Sequence, residues 1–262
     1  MMFFINFRNS EQLQKRFLVK KDLQKFLDQL KREEIQVVIL NFTDTSWPVV
    51  DFLLPFVDEN FVKKTYEDFK QAHNIIELNS LENQVIFRDR SRISRELVTN
   101  GIPTPISLES TIDSVIKCTN EFLFIDNKSI PKPFIEKPCN SESHDIKIYH
   151  QNGTSTTMQK IKGVNGVNLI RSNHCEPRKG SYIYEQFLEG SQEIKVYVGG
   201  DNYFHAETKD IFKGYTLDKN GLEIRQQVEL TEAELEMCRK VQKLFNFFLF
   251  GFDFLQVGLS KR

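Results

Sequence analysis

From residue 121 to residue 210 the chain becomes strand-rich, after an opening in which strand and helix patterns alternate. That change of period restricts the fold more than any single motif does. In the opening, residues 3–7 read as a strand. Residues 11–33 read as a helix, with Leu13, Phe17, Leu23, Leu27 and Leu30 on its apolar side. Gln36 to Asn41 is a short apolar run of the kind found in buried parallel strands, Val49 to Leu54 is a second, residues 61–72 are helical, and Ile75 to Leu78 is a third short strand. An open α/β lobe over residues 1–85 is expected. A helix over 91–100 ends at Gly101, with Pro103 and Pro105 beyond it, and residues 112–120 read as a further short amphipathic helix. Phe122 to Ile125, Pro133 to Lys137, Ile146 to His150, Ser181 to Phe187 and Glu193 to Tyr197 then read as strands. Gly199-Gly200-Asp201-Asn202 has hairpin-turn chemistry between Val196 and Phe204. Thr231 followed by Glu234 is a capping box. It opens a helix with Leu235, Cys238, Val241 and Phe245 on one face, before a final apolar strand, Phe248 to Gln256, that carries Asp253. Residues 86–262 therefore form a second region, mainly antiparallel, and the class is α/β passing into α+β.

The balance of residues narrows the function. The chain has 262 residues, is 40% hydrophobic and 27% charged, and has a net charge of −1. That is a globular composition with no overall field to recruit nucleic acid. The greasiest stretch, 244–257, is interrupted by Asn246 and Asp253 and is too short for a membrane span. Cys118, Cys139, Cys175 and Cys238 lack zinc or redox spacing and read as reduced thiols of a cytosolic protein. Nothing in the sequence sets an oligomeric state. The patterns GxxxxGK[ST], GxGxxG, HExxH and GxSxG are absent, so a nucleotide, if one is bound, must be held by single lysines on strands.

Five places offer such chemistry, each beside a plainer structural reading. In Pro133-Phe134-Ile135-Glu136-Lys137-Pro138, strand alternation puts Phe134, Glu136 and Pro138 on one face and Ile135 and Lys137 on the other. A lysine beside an isoleucine on an inward face needs an anion; otherwise it is a strand-end lysine reaching water. Ser141 to Asp145, with His144 and nearby Lys147, is either a phosphate-capping loop or an exposed turn. Residues 131–180 hold eight Lys/Arg against four acids, an excess of four positive charges in a chain of net −1, which reads as a basic pocket or as solvated loops. Gly163 and Gly166 mark a flap near Lys160 and Lys162. Tyr182 to Phe187 leads to a break at Gly190, and Glu193 and Lys195 share a strand face, as a cleft wall or as a surface ion pair. Asp253, between Phe252 and Phe254, projects away from both rings, which suits a metal ligand or a solvated face.

Read in order, several segments closely resemble the kinase domain of the inositol hexakisphosphate and diphosphoinositol-pentakisphosphate kinases. They are Arg88-Asp89-Arg90, Pro133 to Pro138, His144, Ser181 to Glu185, Ile194 to Tyr197, Tyr203-Phe204-His205-Ala206-Glu207, Glu223-Ile224-Arg225 and Gly251-Phe252-Asp253. The match runs from about 84 to 257 at nearly constant spacing. The first 80 residues match loosely, mainly through Val37-Val38-Ile39 and Trp47-Pro48. The resemblance implies an ATP-grasp fold and transfer of the ATP γ-phosphate to an inositol polyphosphate, giving a diphosphate, with magnesium. It implies that Arg90, Lys137 and His144 contact ATP phosphates, that Glu185, Gln186, Phe187 and Leu188 hold the adenine, and that Glu193 binds the ribose. Lys160 and Lys195 would stand between nucleotide and inositol phosphates, Lys209 on the substrate side, Arg225 at the transferring phosphate, and Asp253 on magnesium.

The sequence departs from the family pattern at Gln159, at Leu217 and at Lys209, each where the family usually has Arg. A lysine at 209 lacks the two-pronged guanidinium. Lys20-Lys21 is an insecure match to the family's substrate-binding lysine pair. The segment Gly258 to Arg262 offers neither the second acidic metal ligand nor the asparagine that follows in the family. The resemblance therefore leaves two readings, an inositol polyphosphate kinase and a catalytically impaired remnant that binds ATP or inositol polyphosphate. A third reading, an ATP-grasp ligase, fits poorly with so many cations.

Overall fold

The computed structural model describes residues 2–6, 21–40, 47–55, 63–143, 145–160, 167–209 and 225–257. They divide into two units, residues 1–85 with 245–249, and residues 86–244 with 250–262.

The first unit holds two parallel strand pairs. β1 (Met2–Asn6) lies beside β2 (Gln36–Leu40), with α1 (Lys21–Arg32) between them in sequence. β3 (Phe52–Leu53) lies beside β4 (Ile76–Glu77), with α2 (Lys63–His73) between them. Parallel neighbours require a crossover, and the helices supply it. Val50, Leu53, Tyr66, Ile75 and Leu81 form the core, with Val38, Trp47 and Phe69 against them. A short helix, α3 (Leu81–Ile86), follows. Asn79 ties this unit to its late-sequence segment, accepting from the Phe248 and Leu249 amides at 2.8 and 2.9 Å.

The second unit opens with α4 (Arg90–Thr99), whose N-cap Asp89 accepts from the Ser91 and Arg92 amides. Its end is sealed by Gly101 at φ +67, where the Ile102 amide reaches back 2.9 Å to the Leu97 carbonyl. A six-stranded antiparallel sheet follows, in the order β12 (Val167–Ser172), β11 (Ser155–Lys160), β10 (Ile146–Tyr149), β9 (Phe134–Pro138), β13 (Tyr182–Gln186), β5 (Ser107–Ser110). A small antiparallel sheet, β6 (Ile116–Cys118), β7 (Phe122–Ile125) and β8 (Lys128–Pro131), contributes Leu123, Ile125 and Ile130 to a core shared with Leu108, Phe134, Tyr149 and Tyr184. The third sheet has the order β15 (Tyr203–Lys209), β14 (Gln192–Gly199), β16 (Leu249–Gln256). Its apolar face, with Ile194, Val196, Val198 and Ala206, packs on Cys238 of α5 (Glu232–Phe245).

One expectation fails. Residues 112–120 are not a helix: residues 112–113 form a turn and 116–118 are β6. Ile116 and Cys118 suit an extended chain beside β7, and the Thr119 hydroxyl accepts the Phe122 amide at 3.0 Å to close the turn between the strands. The described part of the first helix begins at Lys21; residues 11–20 lie outside the described residues. The hairpin at 199–202 and the capping box are present, the latter with the Thr231 amide 2.8 Å from the Glu234 carboxylate and the Glu234 amide 3.3 Å from the Thr231 hydroxyl.

Candidate active site

Strand alternation builds two charged faces in the second unit. On the six-stranded sheet, Ile135 pairs across to Ile148 and Glu185, and Lys137 to Ile183. Ile135, Lys137, Ile148, Ile183 and Glu185 therefore share one face, where Ile135, Ile148 and Met158 form an apolar cluster with Ile146 and Phe187 against it. Lys137 does meet an anion on this face: its ammonium pairs with the Glu185 carboxylate, and the two side chains are 25% and 20% exposed. Glu185 also lies within electrostatic reach of Arg90.

Arg90, which the resemblance assigns to ATP phosphates, braces the chain around the end of β9. Nη1 donates to the Pro138 and Asn140 carbonyls, both at 2.7 Å, and Nη2 to those of Ser141 and Ser143 at 3.0 and 3.1 Å. A terminal guanidinium nitrogen carries two N–H groups, so all four are committed to the end of β9 and the loop after it. Burial pulls the Arg90 pKa down, opposed by nearby Glu185. The Arg90 amide to the Cys139 carbonyl (2.9 Å) and the Ser141 amide to the Arg88 carbonyl (2.9 Å) complete the brace. His144, in that loop, lies outside the described residues.

The strand exit around β13 is similarly tied. The Gln186 amide donates to Ile106 and the Phe187 amide to Pro133, at 2.8 and 2.9 Å. The Leu188 carbonyl accepts from the Ser191 amide (3.2 Å) and hydroxyl (2.7 Å).

The second charged face belongs to the β15–β14–β16 sheet. Since Ile194, Val196 and Ala206 point into the core, Glu193, Lys195, Tyr197, His205 and Glu207 project from the opposite side. Lys195 Nζ is 3.3 Å from Asp253 Oδ1 and 6.0 Å from the centre of the Tyr197 ring. Gly251 lies close to this pair, and a Cβ there would come within 3.2 Å of the Val196 carbonyl and 3.5 Å of the Lys195 side chain. Glu207 accepts from His205 Nε2 at 3.0 Å and from Arg225 Nη1 at 3.3 Å, and these donors hold its carboxyl below the usual range against the upward push of burial. Arg225 Nη1 also donates to the Tyr197 hydroxyl at 3.0 Å.

The structure thus joins Lys137 to Glu185, and Lys195 to Asp253. Glu193 and Lys209 are directly paired backbone positions on β14 and β15, and Lys160 closes β11 opposite Val167; the side chains of Lys160 and Lys209 lie outside the described residues, as do the flap 161–166, Lys20 and Leu217. Among the described residues no group of three or more metal-ligating side chains occurs, and no helix is long and apolar enough to cross a membrane.

The excess charge of residues 131–180 is divided between faces. Arg178 turns to the back of the six-stranded sheet, pairing with Glu136 and Asp145. Lys147 also lies there, 4.8 Å from the centre of the Tyr149 ring, and Lys132 is buried. In the sequence Arg178 is one cation among the eight of residues 131–180, and Glu136 on an apolar strand face is the signal that one of them turns inward.

No family profile matches the chain. It is 30% identical over 255 aligned positions to the inositol hexakisphosphate and diphosphoinositol-pentakisphosphate kinase of Saccharomyces cerevisiae, covering 84% of this chain and 22% of that protein. The kinase of the same description from Arabidopsis thaliana is 30% identical over 235 positions, with 84% and 22% covered. The chain is a relative of these kinases. It spans about a fifth of their length. Human inositol hexakisphosphate and diphosphoinositol-pentakisphosphate kinase 2 is 28% identical, with 84% of this chain and 19% of that one covered. Among solved structures, the D-alanine–D-alanine ligase of Bacillus anthracis superposes with a TM-score of 0.59 at 13% identity, covering 98% of this chain and 83% of that one. The ATP-grasp ligase PsnB does so at 0.56 and 11%, with 98% and 84% covered. At such identities the structural likeness establishes the ATP-grasp fold and nothing about substrate.

Proposed function

We propose that the chain is a kinase region that moves the γ-phosphate of ATP onto a phosphate of inositol hexakisphosphate or diphosphoinositol pentakisphosphate, yielding an inositol pyrophosphate. The observation that supports this most is the Lys195–Asp253 pair on the polar face of β14 and β16, in a chain whose relatives carry that activity in their names. The nucleophile is a substrate phosphate oxygen. A bond forms from it to the γ-phosphorus, the bond to the β,γ-bridging oxygen breaks, and ADP leaves with that electron pair. No protein group becomes covalently attached, so the residues act by placement and by charge.

In this reading Lys137 exchanges its bond to Glu185 for a nucleotide phosphate, and the Ile135–Ile148–Met158 cluster with Phe187 offers an apolar bed to the base. The backbone from Glu185 to Leu188 borders that bed, and Glu193 takes a ribose hydroxyl. Arg90 acts mainly by holding the loop from Pro138 to Ser143 in shape, so that the loop, with His144, meets the phosphates. Lys160 and Lys195 stand between nucleotide and substrate, Lys209 on the substrate side, and Arg225 at the phosphate in transit. Magnesium fits the donor set in one way: Asp253 supplies a single carboxylate, and this ion is commonly held by one or two carboxylates together with nucleotide phosphates and waters. It would neutralise phosphate charge there. A cytosolic location, with Cys118, Cys139, Cys175 and Cys238 as free thiols, belongs to the same reading.

The test is incubation with γ-labelled ATP, magnesium and inositol hexakisphosphate. A labelled pyrophosphate product is expected, and Asp253→Asn should abolish it. Tight binding of both ligands without transfer would instead support the binding remnant; neither binding nor transfer sinks the proposal.

A further inference from the structure

We propose that Glu207 is a positioning residue for Arg225, aiming its guanidinium across the polar face of the β14–β15 sheet. The inference rests on the reading above, in which Arg225 meets the transferring phosphate. Arg225 lies outside any regular element, in a segment that runs along β15. The Thr208 amide donates to Gln226 at 2.8 Å, the Val228 amide to Ala206 at 3.0 Å, and Glu207 bridges to Gln227. These bonds fix the backbone beside the sheet but leave a long side chain that must be held separately, since arginine is rich in rotamers.

Among the described residues, two acceptors on neighbouring strands receive its Nη1, the Tyr197 hydroxyl of β14 at 3.0 Å and the Glu207 carboxylate of β15 at 3.3 Å. Glu207 is itself held. Its other oxygen is 3.0 Å from His205 Nε2, and because an ionised carboxylate only accepts, that nitrogen carries the proton. The sheet register sharpens the point. Lys195 is the direct cross-strand neighbour of Glu207 and the obvious cation to neutralise it, yet Lys195 pairs with Asp253. Among the described residues, Asp253 pairs with Lys195 and Glu207 with Arg225. A carboxylate held at one oxygen by a histidine on its own strand is a fixed stop against which an arginine can be set.

A positioning role and a merely structural one differ in additivity. Single-turnover transfer from ATP to inositol hexakisphosphate is compared in the wild type, Glu207→Ala, Arg225→Ala and the double variant, with folding checked by thermal unfolding. Arg225→Ala should slow transfer by roughly 100-fold or more. Glu207→Ala should slow it by about 10-fold or more with KM for ATP unchanged, and by less than about twofold in the Arg225→Ala background. Glu207→Gln, which keeps an acceptor oxygen, should recover part of the loss. Full activity in Arg225→Ala overturns the reading of Arg225 itself. A slow Arg225→Ala with an undiminished Glu207→Ala effect in the double variant overturns the positioning role alone. Absence of transfer in the wild type overturns both.

Discussion

Glu136 and Lys137 are adjacent on β9 and each finds an opposite charge, but the two pairs lie on opposite faces and in different surroundings. Glu136 is 0% exposed. Its carboxylate takes the Arg178 guanidinium, the Arg178 amide at 2.9 Å and the Tyr149 hydroxyl at 3.0 Å, while Arg178 also pairs with Asp145 and its carbonyl accepts from Tyr184 at 3.0 Å. Burial beside this carboxylate pushes the Tyr149 and Tyr184 hydroxyl pKa values far up. Lys137 and Glu185 keep 25% and 20% of their side-chain surface in solvent. Glu136 cannot exchange its partner, because this carboxylate, unlike the 28% exposed Arg178 side chain, has no water to meet. The half-open pair can, because a ligand phosphate can replace the carboxylate while water receives what is displaced. One strand thus carries a fastening on one face and an exchangeable cation on the other.

Removing the partner of the buried carboxylate should give the larger loss. Arg178→Ala leaves a fully buried carboxylate without its cation and is expected to cost about 3–5 kcal/mol, read from the urea midpoint at unchanged slope. A loss below about 1 kcal/mol would mean that water enters the back of the sheet, and the contrast between faces would fail. Lys137→Ala should behave the other way. Glu185 is then left in partial contact with solvent, so stability should fall by about 1 kcal/mol or less. ATP affinity, measured by calorimetry, should fall by about 10- to 100-fold, the value of a charge-assisted hydrogen bond. Unchanged ATP affinity would make Lys137–Glu185 a second fastening.

The division of faces on β9 is legible from alternation alone, and so is the need of Lys137 for an anion. Its identity is not: Glu185 lies 48 positions away, and only the β9–β13 register brings it within reach. The same holds for Arg178, 42 positions from Glu136, and for Arg90, whose carbonyl partners are 48 to 53 positions away. Charge counted along the chain treats Arg178, Lys147 and Lys137 alike, although the sheet sends the first two to one side and the third to the other. The misread segment at 112–120 teaches the same lesson at shorter range. Ile112, Val115 and Ile116 carry helical spacing, but pairing of Ile116 with Ile125 prevails, a contact that local periodicity does not contain. Where the deciding interaction is local, as in the Thr231–Glu234 capping box, sequence and structure agree.

That capping box provides a third setting for a charge, in which a carboxylate is held by neutral donors. Burial pushes the Glu234 carboxyl up, but the Gln256 amide and the Thr231 amide and hydroxyl together bring it below its ordinary value. Glu234→Ala should cost about 1 kcal/mol, the usual value of a lost cap, less than Arg178→Ala because the donors set free at the helix end can turn to water. The sign of the pH dependence follows from the direction of the shift. A carboxyl whose pKa is lower in the folded state stabilises the fold fully above its unfolded pKa, and that contribution is lost as pH falls through the folded value. The gap between wild type and Glu234→Ala, from urea unfolding at a series of pH values, should therefore be constant at neutral pH and narrow as the solution is taken down through the carboxylate range. A gap that persists undiminished to the acid end would show that the ionised carboxylate is not what holds the start of α5, and that packing of its side chain against β16 is.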